Sequence, residues 1–204
     1  MSVELTTRED CAVLTLNRPE ALNALSFAIL RKIGEAFDEV VKSKARALIV
    51  TGAGAKAFCA GADIKELRNR DLMAQKRGAE LGQAVFARLD TLPMPSVAVI
   101  NGFAFGGGLE LALACTFRLA TRNAKMGLPE IKLGLVPGYG GTQRLPRVVG
   151  EARALEMIMT GRTVAADEAE RIGLVSRLVD GDAVDAGIAF AREFTGYSLP
   201  VLAL

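Results

Sequence analysis

The sequence predicts an α/β fold. Short apolar runs rich in β-branched residues alternate with stretches of helical spacing from one end of the chain to the other. Glycine or proline punctuates most of the junctions between them. No linker of low complexity divides the 204 residues, so residues 1–204 read as a single domain. Strand–turn–helix units recur loosely, without a fixed period.

Each element follows from local sequence. Ala12–Leu16 is an apolar run of β-formers, ended by the turn-like Asn17-Arg18-Pro19. Ser26 is an N-cap candidate, and Ile29, Leu30, Ile33, Phe37, Val40 and Val41 then recur at helical spacing. Arg46–Thr51 reads as a buried strand stopped by Gly52 and Gly54. The stretch 52–62 is small and loop-like. Asp63 caps a helix expected to run, with breaks, toward Leu89, weakened by Gly78 and Gly82. Pro95–Asn101 is a second buried strand, Leu109–Ala114 a helix after three glycines, and Phe117–Ala120 a third strand. Leu128–Gly141 has no period and is rich in Gly and Pro; long irregular stretches inside compact domains are often functional. Helical spacing returns at Glu151–Met159, Ala165–Arg171 and Ala183–Phe194, with a last strand at Leu174–Val179.

Composition narrows the chemistry. Half the residues are apolar, 24% are charged and the net charge is +2, which suits a globular core with no strong pull toward nucleic acid or membrane. The N-terminal residues lack the apolar core of a signal peptide, so a cytoplasmic location is expected, with the matrix of an organelle open for a processed form. Cys11, Cys59 and Cys115 are scattered and are expected to be reduced core thiols. The sequence contains no histidine. A Ser-His-Asp triad and a His-ligated metal are excluded, and a zinc site is not expected. Proton transfer in such a chain falls to carboxylates, or else to Lys, Tyr or Cys.

Several residues fit that role. Gly106, Gly107 and Gly108 join a buried strand to a helix, leaving free N–H groups at a helix N-terminus; Gly107 N–H is a candidate oxyanion donor. The alternative is a tight turn whose glycines only allow packing. The spacing fits neither a dinucleotide fingerprint nor a Walker loop. Glu110 sits one turn into that helix among apolar neighbours, a costly place for a charge, unless it faces solvent. Glu130 lies in the irregular stretch, also flanked by apolar residues, where a carboxyl pKa rises; pairing with Lys132 or Arg144 is the alternative. Phe58–Ile64 is a second small-residue turn leading into a helix, where Ala62 can offer another N–H, as an oxyanion requires.

Four stretches together resemble the enoyl-CoA hydratase/isomerase (crotonase) family: residues 17–25, 52–67, 101–112 and 126–145, in order. The likeness runs from about Leu14 to Val179. It implies a crotonase-like spiral of strand–strand–helix turns and an acyl-CoA thioester as ligand. It implies Glu110 and Glu130 as catalytic residues, Ala62 and Gly107 as the oxyanion hole, and Ala24, Ala60, Asp63, Ile64, Lys65 and Gly106 as substrate-binding. No metal and no cofactor beyond the coenzyme A of the substrate is implied. Both glutamates favour hydration of a 2-enoyl thioester; isomerisation, which needs only the position of Glu130, is the alternative, and dehydratases, hydrolases and C–C lyases share the fold. The resemblance also implies a homo-oligomer, a trimer or dimer of trimers. The family's C-terminal helical region is expected to be largely missing, with residues 183–204 as its start and an apolar tail from Phe194. That tail motivates a third reading, a non-catalytic interaction subunit.

Overall fold

A six-stranded sheet is the spine of the computed structural model, which describes residues 2–202. The chain opens with β1 (Val3–Arg8) and β2 (Cys11–Leu16), then α1 (Phe27–Lys42) and β3 (Ala47–Gly52). There follow β4 (Ala57–Cys59), α2 (Ile64–Leu67), α3 (Leu72–Ala87), β5 (Ser96–Ile100), β6 (Phe103–Phe105) and α4 (Gly107–Ala114). Next come β7 (Phe117–Thr121), β8 (Lys125–Gly127), α5 (Gly141–Val149), α6 (Glu151–Thr160), β9 (Val164–Ala165) and α7 (Ala166–Arg171). The last elements are β10 (Arg177–Val179), α8 (Ala183–Ala191) and α9 (Leu199–Leu202).

The strand orders reveal the winding. The large sheet runs β1-β2-β3-β5-β7-β10 and the small one β4-β6-β8-β9. Among the described residues, only β1 with β2 and β8 with β9 pair antiparallel. From β3 to α5, each of three successive turns therefore lays a strand in the large sheet, then one in the small sheet, then a helix, and advances one place. This is a spiral of strand–strand–helix turns.

Both faces of the large sheet are covered, which explains its continuous apolar runs. Alternate residues of β3 and β5 divide between two cores. Leu48, Val50, Ala98 and Ile100 join the main core with α1, α3 and α4, while Ala47, Ile49, Val97 and Val99 meet α8. Helix α8 can sit this close because a Cβ on Gly187 would fall 2.8 Å from Ile49. Ser26 caps α1 by accepting from Ile29 N–H at 3.1 Å. The expected long helix from Asp63 is two: Asp63 caps the short α2, and Asp71 caps α3 by accepting from Ala74 N–H at 2.7 Å. The three cysteines are buried and free, and burial pushes each thiol up to about 12. Phe194 stacks with Phe117 and meets Phe190, so the apolar tail is docked at its start, while Tyr197 and Val201 face solvent. Residues 203 and 204 lie outside the described residues. Among the described residues, no helix is long and apolar enough to cross a membrane.

Candidate active site

The site begins where α4 meets the turn after β4. Helix α4 starts with glycines because the Cys59 backbone must approach Gly108 and the Tyr139 ring must approach Gly107. A Cβ on Gly108 would fall 2.0 Å from the Cys59 carbonyl oxygen. One on Gly61 would lie 2.9 Å from the Phe105 carbonyl and 3.7 Å from the Gly107 nitrogen. Gly61 at φ +106° and Gly106 at φ +50° adopt backbone that side-chain-bearing residues avoid. The turn around residue 61 is held by Leu25, whose N–H donates to Gly61 O at 2.8 Å and whose carbonyl accepts from Asp63 N–H at 2.9 Å. That parallel pairing uses the Gly61 carbonyl and the Asp63 N–H and leaves the Ala62 N–H out. Gly107, the first residue of α4, likewise has an amide with no place in the helix ladder.

Glu110 projects from this helix into the interior and is 1% exposed. Its Oε1 accepts two backbone hydrogen bonds, from Tyr139 N–H at 2.8 Å and Gly141 N–H at 2.7 Å. Burial pushes its carboxyl up to about 7; the Gly141 and Tyr139 amides pull against that rise, and the charge of Glu130 adds to it. Glu130 opens a 3-10 turn, Glu130–Leu133, inside the irregular stretch. Its Oε1 lies 2.8 Å from where a Cβ on Gly106 would stand. Its Oε2 is buried with no hydrogen-bond partner among the described residues. Burial raises this carboxyl too. Neither glutamate takes the alternative its sequence allowed: Glu110 does not face solvent, and Glu130 forms no salt bridge to Lys132 or Arg144. Arg144 instead pairs with Asp90.

One pocket of about 360 Å³ gathers these groups. Glu110, Glu130, Ala62, Gly107, Ala60, Ile64 and Gly106 all line it. Ala24, Asp63 and Lys65 are not part of its wall. Asp63 is engaged by Arg18 at 2.8 Å, which holds its carboxyl below the usual range, and it caps α2. Lys65 faces solvent. Sequence reasoning missed the apolar side of the pocket, Leu67, Ala79, Phe105, Leu133, Leu135 and Val136, and it missed Tyr139 and Gly141 as the backbone that holds Glu110. A signal was present: Gly78 and Gly82, one turn apart on a helix, mark a face made for close packing. Among the described residues, no group of His, Cys, Asp or Glu is arranged to hold a metal ion.

The spiral of two sheets and the pocket at the start of α4 define an α/β protein of the crotonase type. The chain belongs to the enoyl-CoA hydratase/isomerase family, whose model matches residues 6–194. It is 47% identical to the short-chain-enoyl-CoA hydratase of Clostridium acetobutylicum, over 83% of this chain and 65% of that protein. It is also 47% identical to the crotonyl-CoA hydratase of Syntrophomonas wolfei, over 87% of this chain and 69% of that one. The crystal structure of enoyl-CoA hydratase from Bacillus anthracis superposes with a TM-score of 0.95 at 36% identity, covering 100% of this chain and 80% of the other. The chain thus spans about two thirds of the length of the curated relatives it matches.

Proposed function

We propose that this chain carries the active site of an enoyl-CoA hydratase, adding water across the 2,3 double bond of a 2-enoyl-CoA thioester. The observation that carries the reading is the pairing of two carboxyls, the buried Glu110 and the half-buried Glu130 with its Oε2 out of solvent, in one largely apolar pocket beside two leftover amides. The names of the relatives agree with it.

The thioester oxygen rests on the N–H groups of Ala62 and Gly107. As water adds at C3, negative charge grows on that oxygen, and such a donor contributes ~2.7–4 kcal/mol to the step. Glu110, its Oε1 fixed by two amides, holds the water and takes its proton. Glu130 delivers a proton to C2 through Oε2, which has no partner among the described residues. A single proton shared by the two carboxyls serves both ends of the addition. Burial raises both carboxyls above the ordinary range, Glu110 to about 7, the direction that general acid–base catalysis needs. Coenzyme A arrives as part of the substrate, its channel running past Ala24, Asp63, Ile64 and Lys65, and the chemistry asks for no further cofactor. A homo-oligomer, a trimer or dimer of trimers, goes with this reading.

Isomerisation of the double bond is the second reading, favoured by the unmatched Oε2 of Glu130, which alone suffices to move a proton. Crotonyl-CoA hydration, followed as loss of the conjugated thioester absorbance, tests the first. The wild-type chain hydrates it, and Glu130→Gln loses about 10²–10⁴-fold in rate. A wild-type chain that leaves crotonyl-CoA untouched while shifting the double bond of a 3-enoyl-CoA replaces the first reading with the second.

A further inference from the structure

Tyr139 is 7% exposed and lines the pocket between the start of α4 and α3. Its ring rests on two glycines. A Cβ on Gly82 would fall 2.2 Å from the ring's Cδ1, and a Cβ on Gly107 would fall 2.9 Å from its Cδ2. Phe86 meets the ring edge-on, with centroids 5.6 Å apart and an interplanar angle of 86°. Along α3 the pocket touches Gln75, Gly78 and Ala79 and stops there. Gly82, the next residue on that face, lies behind the ring, with Val85 and Phe86 beyond it in the core. The ring is therefore the wall that ends the pocket along α3. It stands in a slot cut for it by two missing side chains, and it cannot turn aside without displacing close-packed neighbours.

We propose that Tyr139 determines acyl-chain length: its ring closes the pocket behind a short acyl chain and turns away longer thioesters. The inference rests on the thioester reading above and names the substrate class within it, short-chain 2-enoyl-CoA. A longer chain has to occupy the volume the ring fills. Without the ring, the same chain gains apolar wall from Gly82 and Phe86, and each methylene so accommodated is worth about fourfold in affinity.

Saturated butanoyl-CoA and decanoyl-CoA, titrated calorimetrically into the wild-type chain and its variants, read this without turnover. Wild type and Tyr139→Phe bind butanoyl-CoA at least about tenfold more tightly than decanoyl-CoA. Tyr139→Ala abolishes or reverses that preference, and Tyr139→Leu does so in part, which keeps the test intact if the alanine variant does not fold. Decanoyl-CoA bound by wild type as tightly as butanoyl-CoA overturns the inference, as does a wild-type preference that persists in both smaller variants. If the wild type binds neither thioester, the proposed function itself fails and takes this inference with it.

Discussion

Two crevices on this molecule make opposite use of polar groups. One lies at the carboxyl ends of the large sheet's parallel strands, about 500 Å³ in volume, lined by Thr51, Asn101, Thr121 and Asn123 among others. Ligands of open α/β sheets commonly bind in such a place. Here its polar groups are occupied with each other. Asn101 donates to the Gly52 and Gly54 carbonyls at 2.7 and 2.8 Å and accepts from Gly52 N–H at 3.3 Å. Thr121 donates to Ile100 O at 3.2 Å. The smaller pocket at the start of α4 is mostly apolar, yet it holds a buried carboxyl oxygen with no partner among the described residues and amides left out of their ladders. Unmatched polar groups in an apolar setting, rather than size or position on the sheet, distinguish the pocket at the start of α4 from the polar crevice.

Substitutions should separate the two. The largest effect is expected at Gly106, where an added Cβ meets Glu130 Oε1 at 2.8 Å and the backbone sits at φ +50°. Gly106→Ala should lower kcat for crotonyl-CoA by about 10²-fold or more, because a small displacement of a reacting group is enough; steady-state kinetics check it.

Glu110 links the pocket to pH. Its folded-state value, about 7, lies above the ordinary 4.5, so folding disfavours the charged form. Its contribution is fully present below about pH 4.5 and is lost as pH rises through about 7. Glu110→Gln removes the penalty, and its amide oxygen can still accept from Tyr139 and Gly141. Denaturant unfolding at pH 8 should find this variant more stable than wild type by up to about 3 kcal/mol, with the gap closing near pH 4.5.

The polar crevice should respond in the other sense. Asn101→Ala strands backbone groups it now satisfies and should cost about 2 kcal/mol in unfolding free energy, with crotonyl-CoA kcat and KM unchanged. Thr121→Val should cost about 1 kcal/mol, again without kinetic effect. Kinetic loss in either variant would break the contrast between the crevices.

The same contrast explains what the sequence made legible. Elements buried on one or both faces were readable, because burial writes a period: α1 after Ser26, β3, β5, α4 and α6 fall within a residue or two of expectation. The strands of the small sheet were not. Ala57–Cys59, Phe103–Phe105 and Lys125–Gly127 are three residues each, too short to show alternation. β1 was missed because its pairing is antiparallel at an edge and most of its side chains face water. α5 was missed because it begins on a glycine and carries Pro146 inside. Val41, placed on the apolar stripe of α1, is 49% exposed, since that stripe ends at Val40. Glu110, Glu130, Ala62 and Gly107 were singled out through the motifs that carry them, and all four line one pocket. Tyr139 and Gly141 act on Glu110 through main-chain amides, which no side-chain pattern announces.

The central claim is that Glu110 and Glu130 act as one unit on one thioester. A double-mutant cycle on crotonyl-CoA hydration, comparing wild type, Glu110→Gln, Glu130→Gln and the double variant, tests it most directly. If the two carboxyls serve a single addition, each single variant loses most of the rate and the double variant loses little more than the worse of the two. Losses that multiply in the double variant, or a single variant that retains the wild-type rate, would contradict the account.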